Sequence, residues 1–195
     1  TCPIIKQYYD KNISWCPKDS LKMSHQIIPH IHKCFCNFDI IKRLFCNSCQ
    51  IETISSLPPL LITLKLENNK LAYLDPTIIP KTLLHAYLPK NNLMNFTFVS
   101  NIIEVDLSYN KIKNLDLSDS NVEKLTITHN NLENLKCNNK IRRLWVSHNP
   151  NIKIDFNNCT SLNELGISYC EIQSLNNYAF PNSLTELNVY HNYLT

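Results

Sequence analysis

The stretch LITLKLENNKL, from Leu61 to Leu71, places its apolar residues and one asparagine at the spacing L-x-x-L-x-L-x-x-N-x-L. The same spacing returns in LTELNVYHNYL, from Leu184 to Leu194. Copies recur at intervals of roughly 19 to 22 residues. They begin at Ile41, Leu61, Leu83, Ile102, Val122, Ile141, Leu162 and Leu184. One copy alone cannot bury its apolar positions, so the repeat predicts a solenoid in which neighbouring copies share one core.

A repeat of this length and pattern is typical of leucine-rich repeats. The L-x-L centre of each copy predicts a short strand, and stacking aligns these strands in a parallel sheet on the concave side of a curve. The connections return along the convex side, which we expect to be mostly irregular. The predicted fold is therefore an α/β-type leucine-rich-repeat solenoid, a curved horseshoe in which residues 41–195 form about eight repeats.

An asparagine recurs in the turn after most of the predicted strands. Its amide can satisfy backbone groups of neighbouring loops that water does not reach, so we interpret these residues as scaffold and not as ligands. Cys49 and Cys170 take the same position in their copies, where a thiol is a small and weakly donating substitute, and we expect both to be buried and unreactive. The asparagines are Asn69, Asn91, Asn110, Asn130, Asn149 and Asn192.

Composition argues against several functions. The net charge of +3, with its charges scattered, gives no field suited to a phosphate backbone, so nucleic acid is not an expected partner. The single glycine, Gly166, is too few for glycine-dependent phosphate loops or G-x-S-x-G nucleophile turns. A hydrolase could be imagined from His129, Ser108 and Asp106, but no oxyanion-hole sequence accompanies them. We therefore predict no enzymatic activity and no cofactor.

Several features bear on localisation. No apolar run approaches the ~20 residues that span a bilayer, and no charged and apolar leader precedes Thr1, so we expect a soluble chain without a membrane span. Frequent Asn, Ile, Lys and Tyr beside rare Gly, Ala and Arg are expected of an AT-rich genome, as in some viruses, protists or endosymbionts. The sequons at Asn12, Asn95 and Asn158 permit N-glycosylation if the chain is secreted by a eukaryotic cell.

Cysteines are concentrated in residues 1–50, which we predict to be a cap that merges into the first repeat. An array needs such a terminal unit over its open apolar edge, and disulfides stabilise small units that have little core. Six cysteines allow about 15 pairings, among which the sequence does not choose. Two others, Cys137 and Cys159, lie in returning segments of neighbouring copies, where they could meet. The cap cysteines are Cys2, Cys16, Cys34, Cys36, Cys46 and Cys49.

The order Cys34-Phe35-Cys36, then Cys46, then Leu57-Pro58 resembles the N-terminal cap of extracellular leucine-rich-repeat proteins. Toll-like receptor ectodomains and variable lymphocyte receptors have a similar pattern. The resemblance implies disulfides from Cys16 to Cys36 and from Cys34 to Cys46, which leaves Cys2 to another partner. The segment from Cys16 to Cys34 is longer than in that family, so a bridge from Cys2 to Cys16 is an equal alternative.

A zinc site is the rival interpretation of the same region. His30, His32, Cys34 and Cys36 alternate, so they could face one side of a strand. Their spacing is unlike the usual C-x-x-C arrangement of structural zinc sites. We therefore predict no metal site.

The concave face is the predicted binding surface, because alternate strand residues point away from the core. Exposed Tyr, Trp, His and Arg are enriched at binding hot spots, and they recur at these positions around Trp145. Adjacent histidines would also make binding depend on pH, because imidazole gains charge near pH 6.5. The predicted ligand-binding residues are Tyr87, Tyr109, His129, Arg143, Trp145, His148, Tyr169, Tyr190 and His191.

These features favour a secreted protein or receptor ectodomain that binds a protein ligand on its concave face, either as a Toll-like receptor or as a viral or parasite immune decoy. One alternative is an intracellular effector or adaptor, because the stretch from Leu57 to Leu61 also resembles effector-type repeats. The other is a self-assembling adhesion protein, in which the uncapped edge of the last repeat, ending at Thr195, forms a dimer.

Overall fold

The computed structural model describes residues 19–99, 101–150, 152–176 and 178–195, apart from the side chain of Cys34. The chain there forms short parallel strands and two 3-10 segments, Lys33–Asn37 and Pro76–Ile78. In chain order the strands are β1 (Ser20–Lys22), β2 (His30–Ile31), β3 (Arg43–Phe45), β4 (Thr53–Ile54), β5 (Thr63–Lys65), β6 (His85–Tyr87), β7 (Glu104–Asp106), β8 (Asn114–Asp116), β9 (Lys124–Thr126), β10 (Asn134–Lys136), β11 (Arg143–Trp145), β12 (Lys153–Asp155), β13 (Glu164–Gly166) and β14 (Glu186–Asn188).

One 9-stranded parallel sheet, ordered β1-β3-β5-β6-β7-β9-β11-β13-β14, runs the length of the solenoid. Every pair is in register, so that Leu44 lies beside Leu64 and Leu144 beside Leu125. The middle residue of each strand points into the core, and all except Leu187 on β14 are buried. The predicted solenoid with a parallel sheet is therefore confirmed. We call the opposite side of this sheet the open face.

Strand β1 extends the sheet into the region that we predicted to be a cap. Leu21, Met23 and Ile28 are buried at the spacing of the repeat, and Ser20–Lys22 pairs with Arg43–Phe45. Gln26 stands where later copies carry asparagine. Because of Gln26, and of Met23 in place of leucine, the repeat pattern predicted only eight copies and not the strand β1.

The asparagines hold neighbouring turns together as predicted. Asn149, fully buried, accepts a hydrogen bond from the backbone N–H of Leu132 at 2.9 Å. Its amide nitrogen donates to the carbonyl oxygens of Ile127 and Val146 at 2.9 and 2.8 Å. Such buried backbone groups would otherwise be left unpaired between stacked turns, which water does not enter. The same arrangement recurs at Asn69, Asn91, Asn110, Asn130 and Asn192.

The convex side is more regular than we predicted. Strands β8, β10 and β12 form a three-stranded parallel sheet, and β2 pairs with β4. On the three-stranded sheet, Asn134 donates to the side-chain oxygen of Asn114 at 2.9 Å, and Lys136 lies 3.3 Å from Asp116. Three adjacent repeats of nearly equal length keep their returning segments aligned, which allows the additional strands to pair.

The cysteines differ from the pairing that the resemblance implied. Cys36 and Cys46 are free thiols in the structure, so the bridges expected from Cys16 to Cys36 and from Cys34 to Cys46 are not formed there. Cys2, Cys16 and the Cys34 side chain lie outside the described residues. Cys46 instead points into the core beside Cys49, because in the copy that begins at Ile41 these residues take the inward positions of Leu66 and Asn69.

A disulfide does join Cys137 to Cys159, 22 residues apart in the chain. It links the returning segments of adjacent repeats, directly after β10 and near the end of β12, as the sequence suggested. Both residues are buried. Among the described residues, no helix is long and apolar enough to cross a membrane.

Candidate ligand-binding face

The turn after each strand of the large sheet places a residue in the left-handed backbone region, and two turns place a second one there, at Gln50 and Glu171. In all nine copies the first such residue comes directly before the recurring asparagine, or before the glutamine or cysteine that replaces it, and its φ lies between 53° and 64°. Side chains other than glycine adopt this region at a cost of about 1 kcal/mol or more. The residues are His25, Ser48, Asn68, Lys90, Tyr109, His129, His148, Tyr169 and His191.

Five of these residues form a continuous stack of rings, which we call the ring ladder: Tyr109, His129, His148, Tyr169 and His191. Successive ring centroids are 4.1, 3.8, 4.2 and 4.3 Å apart. The planes of neighbouring rings differ by only 12° to 19°. Register creates the ladder, because the backbone N–H at each position bonds to the next repeat and so fixes the spacing, as in Tyr109 to Thr128.

The ring ladder offsets part of the backbone cost with its stacking contacts. An aromatic pair contributes about 0.5–1.5 kcal/mol beyond its buried area. Asn or Gly would occupy these positions with less strain, as Asn68 does in an earlier repeat. Five aromatic residues in a row therefore indicate a use for their ring edges, which stay accessible: Tyr109 and Tyr169 are 48% and 44% exposed.

His129 is the second ring of the ladder and is stacked between Tyr109 and His148. Its Nδ1 atom is buried and has no hydrogen-bond partner. Burial lowers the pKa of His129 below its ordinary value, and the neighbouring His148 lowers it further. Both effects disfavour the imidazolium form of His129, so stacking at this position favours the neutral ring.

Trp145 lies on the open face above the only glycine of the chain. A Cβ atom added to Gly166 would stand 3.1 Å from Cδ1 of the Trp145 indole. Any larger residue at position 166 would push the ring away. The absence of a side chain at Gly166 therefore lets the indole lie over β13. Trp145 is nevertheless 45% exposed. It follows that one indole face rests on the protein while the rest of the ring is free to contact a ligand.

The other predicted site residues take different positions. Arg143, on the same strand as Trp145, forms an ion pair of 2.9 Å with Glu164 on β13. Tyr190 is 73% exposed beside the last strand. Tyr87 lies away from the ring ladder, on β6; burial and then the charge of Glu104 raise its pKa to about 12, so its phenol stays protonated.

Two alternative sites drawn from the sequence lack support in the geometry. The hydroxyl of Ser108 and Nδ1 of His129 are both buried without hydrogen-bond partners, so they form no proton relay. Both ring nitrogens of His30 are engaged by hydroxyls, Nδ1 by Thr53 and Nε2 by Ser55 at 3.2 Å. Within the described part of the chain, no three His, Cys, Asp or Glu residues converge to hold a metal ion.

The repeat spacing places Phe45, Lys65 and Tyr87 in one column of the open face, and the structure adds Lys22 at its N-terminal end. Lys22, Phe45, Lys65 and Tyr87 occupy equivalent positions on β1, β3, β5 and β6. The Lys65 ammonium lies 4.8 Å from the ring centre of Tyr87 and 5.8 Å from that of Phe45. Lys22 lies 5.7 Å from the Phe45 ring. The repeat pattern did not include Lys22, because Lys22 belongs to β1, the strand that the pattern did not reveal.

Comparison with known proteins identifies only the fold. Neither a protein-family model nor a curated protein matches the sequence. Among solved structures, the leucine-rich repeat domain of APL1B is similar with a TM-score of 0.63 and 20% identity, over 89% of this chain and 62% of that one. The APL1 leucine-rich repeat domain gives 0.52 and 19%, over 90% and 63%. The chain thus spans less than two thirds of either domain, and what it shares with both is a leucine-rich-repeat fold.

Proposed function

We propose that this protein is a recognition module that binds a protein ligand on the open face, around Trp145 and the ring ladder. The ladder carries the proposal, because five consecutive turns hold aromatic side chains where the backbone would favour Asn or Gly. Tyr and Trp provide large rigid contact areas at low entropic cost, which suits a binding surface. Non-enzymatic protein binding is also the usual role of solenoids with this shape.

Secretion is part of the proposal. A buried disulfide between Cys137 and Cys159 suits an oxidising compartment. The side chains of Asn95 and Asn158 are exposed, so two of the three sequons could accept a glycan, while Asn12 lies outside the described residues. A receptor ectodomain of the Toll-like type and a secreted immune decoy of a virus or parasite both meet these conditions.

The experiment compares variants of the two faces. The protein is made in a eukaryotic secretory system, immobilised and exposed to extracellular fluid. Bound proteins are then identified by mass spectrometry. We expect at least one saturable partner that Trp145→Ser with His148→Asn loses and Asn134→Ser on the convex sheet retains. Partners that ignore the first variant, or that depend on Asn134, would place binding elsewhere.

Peptide mapping without reduction tests the compartment. We expect the Cys137 to Cys159 bridge, and glycans at Asn95 and Asn158, in secreted protein. The same map decides whether Cys34 and Cys46 pair in the secreted chain. Reduced Cys137 and unmodified sequons in protein from the native source would favour the intracellular effector.

The dimer predicted at the last strand would cover Leu187 and Leu194, which are 37% and 42% exposed, and it stays a prediction.

A further inference from the structure

The N-terminal half of the open face differs in charge from the ring ladder. The lysine–aromatic column of Lys22, Phe45, Lys65 and Tyr87 sets two cations and two rings in alternation. Ammonium groups are held over ring faces by the ring quadrupole, at about 0.5–1 kcal/mol for an exposed pair. These contacts fix the direction of both lysines without neutralising them.

Two other cations on this half have carboxylate partners. Arg43 pairs with Asp19, and Lys90 pairs with Glu67 at 2.9 Å. Within the described ranges, neither Lys22 nor Lys65 forms an ion pair. Glu104 pairs with Lys124, and the nearest carboxylate of the same column, Asp106, lies on the far side of Tyr87 on β7. The column therefore carries two positive charges that no described residue neutralises in an ion pair.

The spacing of the two lysines fits an extended polypeptide. They are two strands apart, which is roughly 10 Å at the usual separation of about 4.8 Å per strand. Side chains on one side of an extended segment are about 7 Å apart at i and i+2 and about 13 Å at i and i+4. Flexible glutamate side chains at either spacing reach both ammonium groups, while apolar residues between them contact Phe45 and Tyr87.

We infer that the lysine–aromatic column binds an acidic, extended segment of a partner protein. This inference deepens the proposed function and rests on it, since it assigns the partner's chemistry at one end of the same face. Charge complementarity supports this occupant over an apolar one, because burying Lys22 and Lys65 against an uncharged surface would leave both charges unpaired.

Fluorescence anisotropy with a labelled decapeptide of alternating glutamate and leucine tests the inference. We expect it to bind at least tenfold more tightly than the matched glutamine and leucine peptide, and to weaken as salt is raised. Lys22→Met with Lys65→Met should abolish the difference, since methionine keeps an apolar stem over the rings. Lys153→Met, which removes one charge from the convex strand β12, should not change it.

Further variants separate this inference from the proposed function. Trp145→Ser should leave peptide binding unchanged, so loss of ladder-dependent partners and loss of peptide binding are independent results. Phe45→Leu, which keeps both charges, should weaken binding severalfold if the rings contribute. Equal affinity for the two peptides, equal weakening by Lys153→Met, or tight binding of a heparin oligosaccharide without peptide binding would each overturn the inference. Thermal melts confirm that each variant is folded.

Discussion

From β1 to β6 the open face alternates lysine with aromatic rings, whereas from β7 onward the neighbouring turns stack ring on ring. The backbone is the same in both halves: strands in register, left-handed residues at equivalent turns, and buried amides between copies. The difference lies only in side chains that point away from the core. A repeat scaffold therefore leaves the surface free to vary, and each half can take a different ligand chemistry.

The scaffold itself should be equally sensitive in both halves. Asn91→Ala and Asn149→Ala each remove one acceptor and an amide nitrogen that donates to three carbonyls, among them those of Leu88 and Val146. Because each buried backbone group left unpaired costs about 1–3 kcal/mol, we expect about 3 kcal/mol or more from either variant in urea unfolding. Exposed Asn131→Ala is the control. Unequal losses would mean that the halves do not share one scaffold.

The disulfide should stabilise only the C-terminal half. Replacing Cys137 and Cys159 by serine removes the closure of a 22-residue segment. Chain entropy gives a loss of about 3 kcal/mol, seen as a lower thermal midpoint. Cys36→Ser, at an exposed free thiol, should leave the midpoint unchanged. Hydrogen exchange should accelerate mainly in β10 and β12, and uniform acceleration would contradict a local role.

Changing Gly166, on which the Trp145 indole rests, should alter the position of the indole more than the free energy of unfolding. Gly166→Ala puts a methyl group 3.1 Å from the indole Cδ1, and an exposed ring can swing away at a cost below about 1 kcal/mol. Trp15 is replaced by Phe in all variants, so that Trp145 is the only tryptophan that emits. In Gly166→Ala we expect the Trp145 emission to shift to the red and acrylamide to quench it more easily. Asn188→Ala, on the neighbouring strand β14, should leave the emission unchanged. An unaltered spectrum in Gly166→Ala would show that the indole does not rest there.

The smallest effect should come from pH, through His129 in the ring ladder. The folded pKa of His129 lies below that of the unfolded chain, because of burial and then His148, so the unfolded state binds the proton more readily. This contribution to stability is full above about pH 6.5 and is lost as pH falls towards the folded pKa. Urea midpoints should therefore fall between pH 7.5 and 5.5.

His129→Asn should reduce that fall. The variant removes the buried imidazole and places at the left-handed position a residue that tolerates it. The interpretation fails if the variant keeps the full dependence of the parent protein.

Much of the fold followed from local spacing. Apolar residues at L-x-x-L-x-L predicted the strands, and the recurring asparagines predicted the buried amides, because a stack of short units has few ways to hide such groups from water. The strand around Leu21 was not predicted from the sequence, because Gln26 stands where the pattern requires asparagine. The convex sheet was not predicted either, because strand pairing there depends on how closely successive loops match in length.

Sequence by itself determined the solenoid, its register and the set of side chains on the open face, since each is fixed by a period repeated in every copy. Tertiary structure decided which of those side chains meet. The stack from Tyr109 to His191, the indole over Gly166 and the rings between Lys22 and Lys65 join residues about 20 positions apart or more. Such contacts arise only when parallel strands bring equivalent positions to about 4.8 Å, a distance that no single repeat contains.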